Sequence, residues 1–432
     1  MGTSVMRRVR SGHRTSTGTG PASSWWRSRG TLDTVPSGRA NGFGLLRLLL
    51  AMSVVYSHAY PLGWNAQAPL AHFSGGQTDL GSMAVVGFFV LSGFMITASG
   101  RRLGLGRFLW HRALRILPGL LVCVLLTALV VAPLMYFHQH GTTAGFWNHP
   151  DGPLSYIQGT STTAISSGYD ISGVMHTAMV QHTTHNVAFD GALWSLRYEL
   201  TCYVVVAVLA AGGVLRRAPR TVLLITAVLW ASIAADLLKS AHPRGPFSEA
   251  TAPILVPVLG GLQTHYLIYL GFCFMLGACA QLYRHRFPIN DALGLLSAAV
   301  LVASLHWGGL AVVGYPACGY LLIWLGIRMP RQLHWVGRKN DYSYGAYIYG
   351  FIVEQWMTMY GATHWGLHRY VAVAAALTLG VAFLSWHLVE RQALRLKDVP
   401  LPRRLARGRG PGGPGRAATG PVPAQPQPSQ AR

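Results

Sequence analysis

Residues 43 to 62 read FGLLRLLLAMSVVYSHAYPL, a stretch long and apolar enough to cross a bilayer that nevertheless carries Arg47 and His58. Hydrocarbon offers an ionisable side chain no partner, so both groups must face protein, a water-filled cavity or an interface. Eleven residues separate them. On an α-helix that is three turns plus roughly 20°, which puts them on one face about 16 Å apart. Arg47, near one end, can snorkel to the interface. His58 lies deep, and is either a hydrogen-bonded structural imidazole or a functional one.

The rest of the chain extends this pattern. Apolar residues make up 51% of it despite a net charge of +22, and 32 of its 35 basic residues are Arg. A basic chain raises nucleic acid as a partner. Here the charge has another cause, and no nucleic-acid partner is expected. Apolar runs at 43–62, 81–100, 117–138, 191–213, 221–238, 262–283, 291–306, 311–328, 343–361 and 370–389 predict ten spans. With the N-terminus in the cytosol, fourteen basic residues fall in inner loops and only Lys239, Arg244 and Arg369 in outer ones. That asymmetry is the positive-inside rule, and it predicts an all-α polytopic helix bundle in the cell membrane with both termini cytosolic.

Residues 1–42 and 392–432 are rich in Arg, Gly, Ser, Thr and Pro without an apolar period, and composition assigns them to disordered tails around a membrane domain at 43–391. Residues 139–190 hold no Lys or Arg and are expected outside as one long loop. His140, His149, His176, His182 and His185 in it, with His138 just before it, lack the regular spacing of a zinc site, and no metal is expected. All five cysteines fall inside predicted spans, so no external disulfide framework is suggested.

Four further stretches carry chemistry. In the second span, Ser92 and Gly93 form a small pair suited to close helix approach. The following segment, RRLGLGRFLWHRALRILP, puts Arg112 and Arg115 one turn apart on an expected interfacial helix ending at Pro118. Two guanidinium forks on one face suit phosphates, and equally suit anionic lipid. In the fourth span, Arg197 and Glu199 point about 200° apart and each needs a partner on another helix. Glu199 is a candidate for orienting His58, or for bracing the bundle.

Taken together, these stretches resemble the membrane acyltransferase-3 family, which includes bacterial O-antigen and other surface-polysaccharide acetylases. The resemblance rests on Arg47 and His58 as R-x10-H, FFVLSGFMI at 88–96, Arg112 and Arg115 as R-x2-R, LWSLRYEL with Glu199, SYGAYIY at 343–349, and LSWHLVER ending in Glu390 and Arg391. These cover residues 43–391 in order. Three positions depart from the family pattern. Val86 and Gly87 stand where many members have an acidic residue before the double Phe, Gly350 stands where a His is common, and Gln392 replaces the usual Pro.

The resemblance implies O-acyl transfer, with acetyl the expected group, from cytosolic acyl-coenzyme A to a hydroxyl of a surface carbohydrate or related acceptor. No permanently bound cofactor is implied. On that reading His58 is the general base, because an alcohol attacks poorly until an imidazole takes its proton. Glu199 supports it, and Arg47, Arg112 and Arg115 hold the donor's phosphates. Direct transfer is simpler than an acyl-Ser92 intermediate, since the sequence sets no base beside Ser92. A glycan or acyl transporter would also carry charges in its spans, but no clear internal repeat accompanies them.

Overall fold

A computed structural model describes residues 30–33, 41–161, 170–239, 253–256 and 260–400, of which about three-quarters are helical and very few lie in strands. Every apolar run becomes a helix. The first half contains α1 (Phe43–Trp64), α2 (Leu80–Arg102), α3 (Leu105–His140), α4 (Gly191–Ala211) and α5 (Arg220–Lys239). The second contains α6 (Thr264–Leu282), α7 (Asp291–Trp307), α8 (Leu310–Arg328), α9 (Ser343–Met359) and α10 (Leu367–Asp398). Eight are long and apolar enough to cross a membrane, while α7 and α9 have 17 residues each, roughly 25 Å of helix.

The outer faces of the helices carry many exposed large apolar side chains. Leu224, Val208 and Leu388 are at least 64% exposed, and α5 buries only Val222, Thr226 and Ile233. Such a surface requires lipid rather than water around it, so the chain is a multi-pass membrane protein. Inside, α2 and α6 make the most extensive helix contact. Gly93 lies against the Phe274 carbonyl and Gly277 against the Val90 carbonyl, so a methyl group at either would collide with the other helix's backbone.

Three expectations about local structure need correction. The helix carrying Arg112 and Arg115 does not end at Pro118 but runs on through it to His140, with a π turn at Thr127–Val131. Beside the proline the Tyr344 hydroxyl, from α9, donates to the Ile116 carbonyl at 2.7 Å and ties this stretch to its neighbour. The long segment after α3 is also folded. It contains helices Pro153–Ser161 and Val174–Val180 and buries Phe146, Ile171, Met175 and Phe189.

The tails, finally, begin farther out than composition indicates. Gly30–Thr31 (β1) pairs with Pro288–Ile289 (β4), Leu32 is buried against Ala280, Ile289 and Ile323, and Asp33 meets Arg284 at 2.8 Å. At the other end α10 continues to Asp398, where the Leu396 carbonyl accepts from the Trp110 indole at 3.0 Å. One buried leucine and one indole hydrogen bond leave too faint a trace for compositional reading. The tail assignments for residues 1–29, 34–40 and 401–432 lie outside the described residues. The remaining sheet is the hairpin of Pro253–Val256 (β2) and Gly260–Gln263 (β3) before α6.

Candidate active site

At the end of the bundle where α2 finishes and α9 begins, a cavity of about 760 Å³ opens between α1, α2, α3, α4, α9 and α10. Arg102, Arg338, Lys339, Arg391, Arg395 and Lys397 ring its mouth, and Arg47, Arg112, Arg115, Ser92 and Glu199 line its interior. Five residue positions singled out from sequence thus share one space.

Its organising group is one that sequence did not single out. Asp341 Oδ2 accepts from Arg47 Nη1 and from Arg115 Nη2, each at 2.6 Å, while its Oδ1 accepts from the Ser343 hydroxyl at 2.5 Å. Burial pushes the Asp341 carboxyl up, but Arg115 and Arg47 outweigh it and hold it well below the usual carboxylate range. The chain has only 13 acidic residues, and Asp341 sits just before SYGAYIY, a signal that one of them is held at the bilayer edge for a purpose. Arg115 also lies over the Tyr344 and Trp386 rings at 5.5 and 5.8 Å.

Two guanidinium donors remain open. Arg115 Nη1 and Arg112 Nε are buried without a hydrogen-bond partner, although Arg112 lies 5.9 Å from the centre of the Tyr203 ring. Buried N–H donors left unpaired are costly, so an anionic or carbonyl ligand entering the cavity would meet groups that need it. No metal-binding group of three His, Cys, Asp or Glu occurs among the described residues.

Glu199 does not meet His58. It lies level with the middle of α2, accepting from Ser92 Oγ at 2.9 Å and from the Tyr203 hydroxyl at 2.5 Å, and no hydrogen bond joins it to the imidazole. The expectation that Glu199 orients His58 is therefore not met. Glu199 and Tyr203 are one turn apart and form a pair along α4 that also reaches α2. Arg197, on the other side of α4, donates to the carbonyls of Gly261 and Trp194 instead of pairing with an acid.

His58 lies beyond the cavity. Gly81 packs against Ser57 and Gly87 against Leu50, so Val85, the cavity residue nearest the start of α2, is level with about residue 53 of α1. That leaves about five residues, roughly 8 Å, to His58 on the helix that also carries Arg47. The imidazole meets the Phe351 ring edge-on at 5.0 Å, and its Nδ1 is buried with no partner. Asp79, at the start of α2, accepts from Ser57 Oγ at 3.2 Å and from Ser82 Oγ at 2.6 Å.

Comparison with known proteins identifies the family. A family model described as an acyltransferase domain matches residues 41–387. An O-acetyl transferase of Shigella phage Sf6 is 26% identical over 82% of this chain and 96% of its own length. Nodulation protein 10 of Rhizobium leguminosarum bv. viciae is 27% identical over 86% of this chain and 97% of its own. No solved structure matches. The domain match runs from just before the helix of Arg47 and His58 to the π turn of α10 that closes the cavity wall, and the chain belongs to the membrane acyltransferase-3 family.

Proposed function

We propose that this acyltransferase moves an acyl group, acetyl in the simplest case, from acyl-coenzyme A to a hydroxyl of a carbohydrate or related glycoconjugate. The observation that carries this reading is the arginine-lined cavity, with two unpaired guanidinium donors, on the helix face that leads from Arg47 to His58. The O-acetyl transferase name of the phage relative supports the reaction type. In the proposed topology all ten helices span the bilayer and both termini are cytosolic, which makes the cavity mouth cytosolic and admits the donor from that side.

Arg47, Arg112 and Arg115 then serve the donor's anionic groups, with Asp341 fixing the first and third. The thioester, at the far end of a long arm, reaches toward His58. His58 takes the acceptor's hydroxyl proton as that oxygen attacks the thioester carbonyl, the carbon–sulfur bond breaks, and coenzyme A leaves as the thiol. Glu199 belongs to the cavity wall, where it holds Ser92 and Tyr203. The test is transfer of label from acetyl-coenzyme A by purified protein in lipid nanodiscs to a surface glycan from a deletion strain. Transfer that disappears in His58→Ala supports the reading, and absence of any donor binding or turnover by folded wild-type protein overturns it.

A further inference from the structure

With Glu199 bonded elsewhere, the imidazole of His58 has no carboxyl partner in the site described above, yet a base of this kind needs one. Its Nδ1 is the buried, unbonded nitrogen, so Nε2 is the atom left to meet a substrate. A neutral imidazole accepts a proton at Nε2 only as the Nδ1–H tautomer, and a buried Nδ1–H without an acceptor is unfavourable. Some group must take that hydrogen bond.

Three other carboxyls lie near enough in the fold to be considered, Asp79 near enough for its charge to act on His58, and each already accepts hydrogen bonds. Glu199 holds Ser92 and Tyr203, Asp79 holds Ser57 and Ser82, and Asp190 accepts from the Ala192 N–H at 3.1 Å. Glu354 is different. It is 0% exposed, and among the described residues it is the only carboxyl with both oxygens buried and unbonded. Nothing structural is gained from such a group, because an apolar side chain of the same size would pack without the cost of desolvating a carboxyl.

Its place on α9 points at α1. The two helices run the same way, and their register is set where Gly350 abuts Val55, a methyl group at Gly350 coming within 2.6 Å of Val55 Cγ2. Glu354 is one turn farther on, level with about residue 59. It also follows by three the Phe351 whose ring lies on His58. Residues three and four apart share a helix face, so Glu354 leaves α9 between its Val55 contact and its His58 contact. Thr378 of α10, whose hydroxyl is likewise buried and unbonded, lies in the same layer, 3.6 Å from a methyl group built at Gly350.

We infer that Glu354 is the positioning residue for His58, its carboxyl oxygen accepting the Nδ1–H and so fixing the tautomer that leaves Nε2 free to take the acceptor's proton. This rests on the reading of His58 as the base. No net proton leaves the pair: the hydroxyl proton goes to Nε2, and the departing thiolate takes it up.

The experiment compares Glu354→Gln, Glu354→Met and Glu354→Leu in nanodiscs, with melting temperature, KM for both substrates and kcat read in parallel. Gln keeps an accepting oxygen and should hold kcat within a few-fold of wild type. Met and Leu should melt at or above the wild-type temperature and leave both KM values unchanged, yet lower kcat by about 100-fold or more, the scale expected when a base is held in the wrong tautomer. A purely structural role predicts no such split, and full kcat in folded Met and Leu variants overturns the inference. If instead His58→Gln retains most of the rate, the base itself is wrong and Glu354 falls with it. Loss of kcat only in the Glu354 variants that fail to fold, with Met folded and active, also counts against it.

Discussion

Arg115 of α3 and Asp341 of the segment before α9 are joined at 2.6 Å, and the same carboxylate oxygen holds Arg47 of α1 at 2.6 Å. Two helices distant in sequence are thereby tied to the start of a third. Because the Asp341 carboxyl is held below its ordinary value of 3.8, its contribution to stability is full above that value and is lost as pH falls through the lower folded one. Thermal unfolding followed from pH 7 to pH 3 should show an acid-side loss setting in below about pH 4 that is smaller in Asp341→Asn. Asp341→Asn should also melt lower at pH 7, since it leaves two guanidiniums facing each other.

Substituting Arg112 or Arg115 by Lys keeps a positive charge and removes the planar fork whose Nε and Nη1 stand unpaired. Donor affinity should fall roughly tenfold while membrane insertion holds, the loss of one charge-assisted bond, and the melting temperature should hold in Arg112→Lys, which leaves the Arg115–Asp341 pair intact. Equal donor affinity in both Lys variants, measured by calorimetry with acetyl-coenzyme A, would reduce these arginines to topology-setting charge.

His58→Gln and His58→Ala should each cost about 100- to 10,000-fold in turnover with donor affinity intact, as general base catalysis requires. Donor binding should survive because His58 does not line the cavity. Single-turnover assays alongside equilibrium binding separate these two quantities.

Removing residues 1–29 should leave the melting temperature unchanged, whereas removal through residue 38 should lower it by several degrees. The second deletion exposes the apolar site filled by Leu32, worth about 1.5–3 kcal/mol when fully buried, and takes away β1. The exposed Asp33–Arg284 pair adds little. Equal melting of the two truncations would show that the strand contributes nothing.

Reporter fusions at the two termini should both report cytosol, and one within residues 150–180 should report the opposite side. An external C-terminus would falsify the ten-span topology.

That the chain is a membrane bundle was legible in its residues alone, because the spacing of apolar runs and of arginines answers to bilayer thickness and membrane charge, which act on each segment separately. The family was legible too, through motifs read in order from Arg47 to Arg391. Local periodicity carried Arg47 and His58 onto one face, where the structure keeps them. Which side chain meets which was settled by packing. Glu199 was the nearest carboxyl by motif but bonds Ser92 and Tyr203, because the register of α4 against α2 sets it at mid-depth. Asp341 becomes the partner of two arginines 294 and 226 residues away, and such pairings leave no mark on local pattern. Pro118 reads as a stop by local rules, yet it lies inside a continuous helix, because a segment packed among other helices in lipid has no water to unwind into. Glu354 lies within the predicted ninth span, but only packing reveals that its carboxyl is buried with nothing to hold.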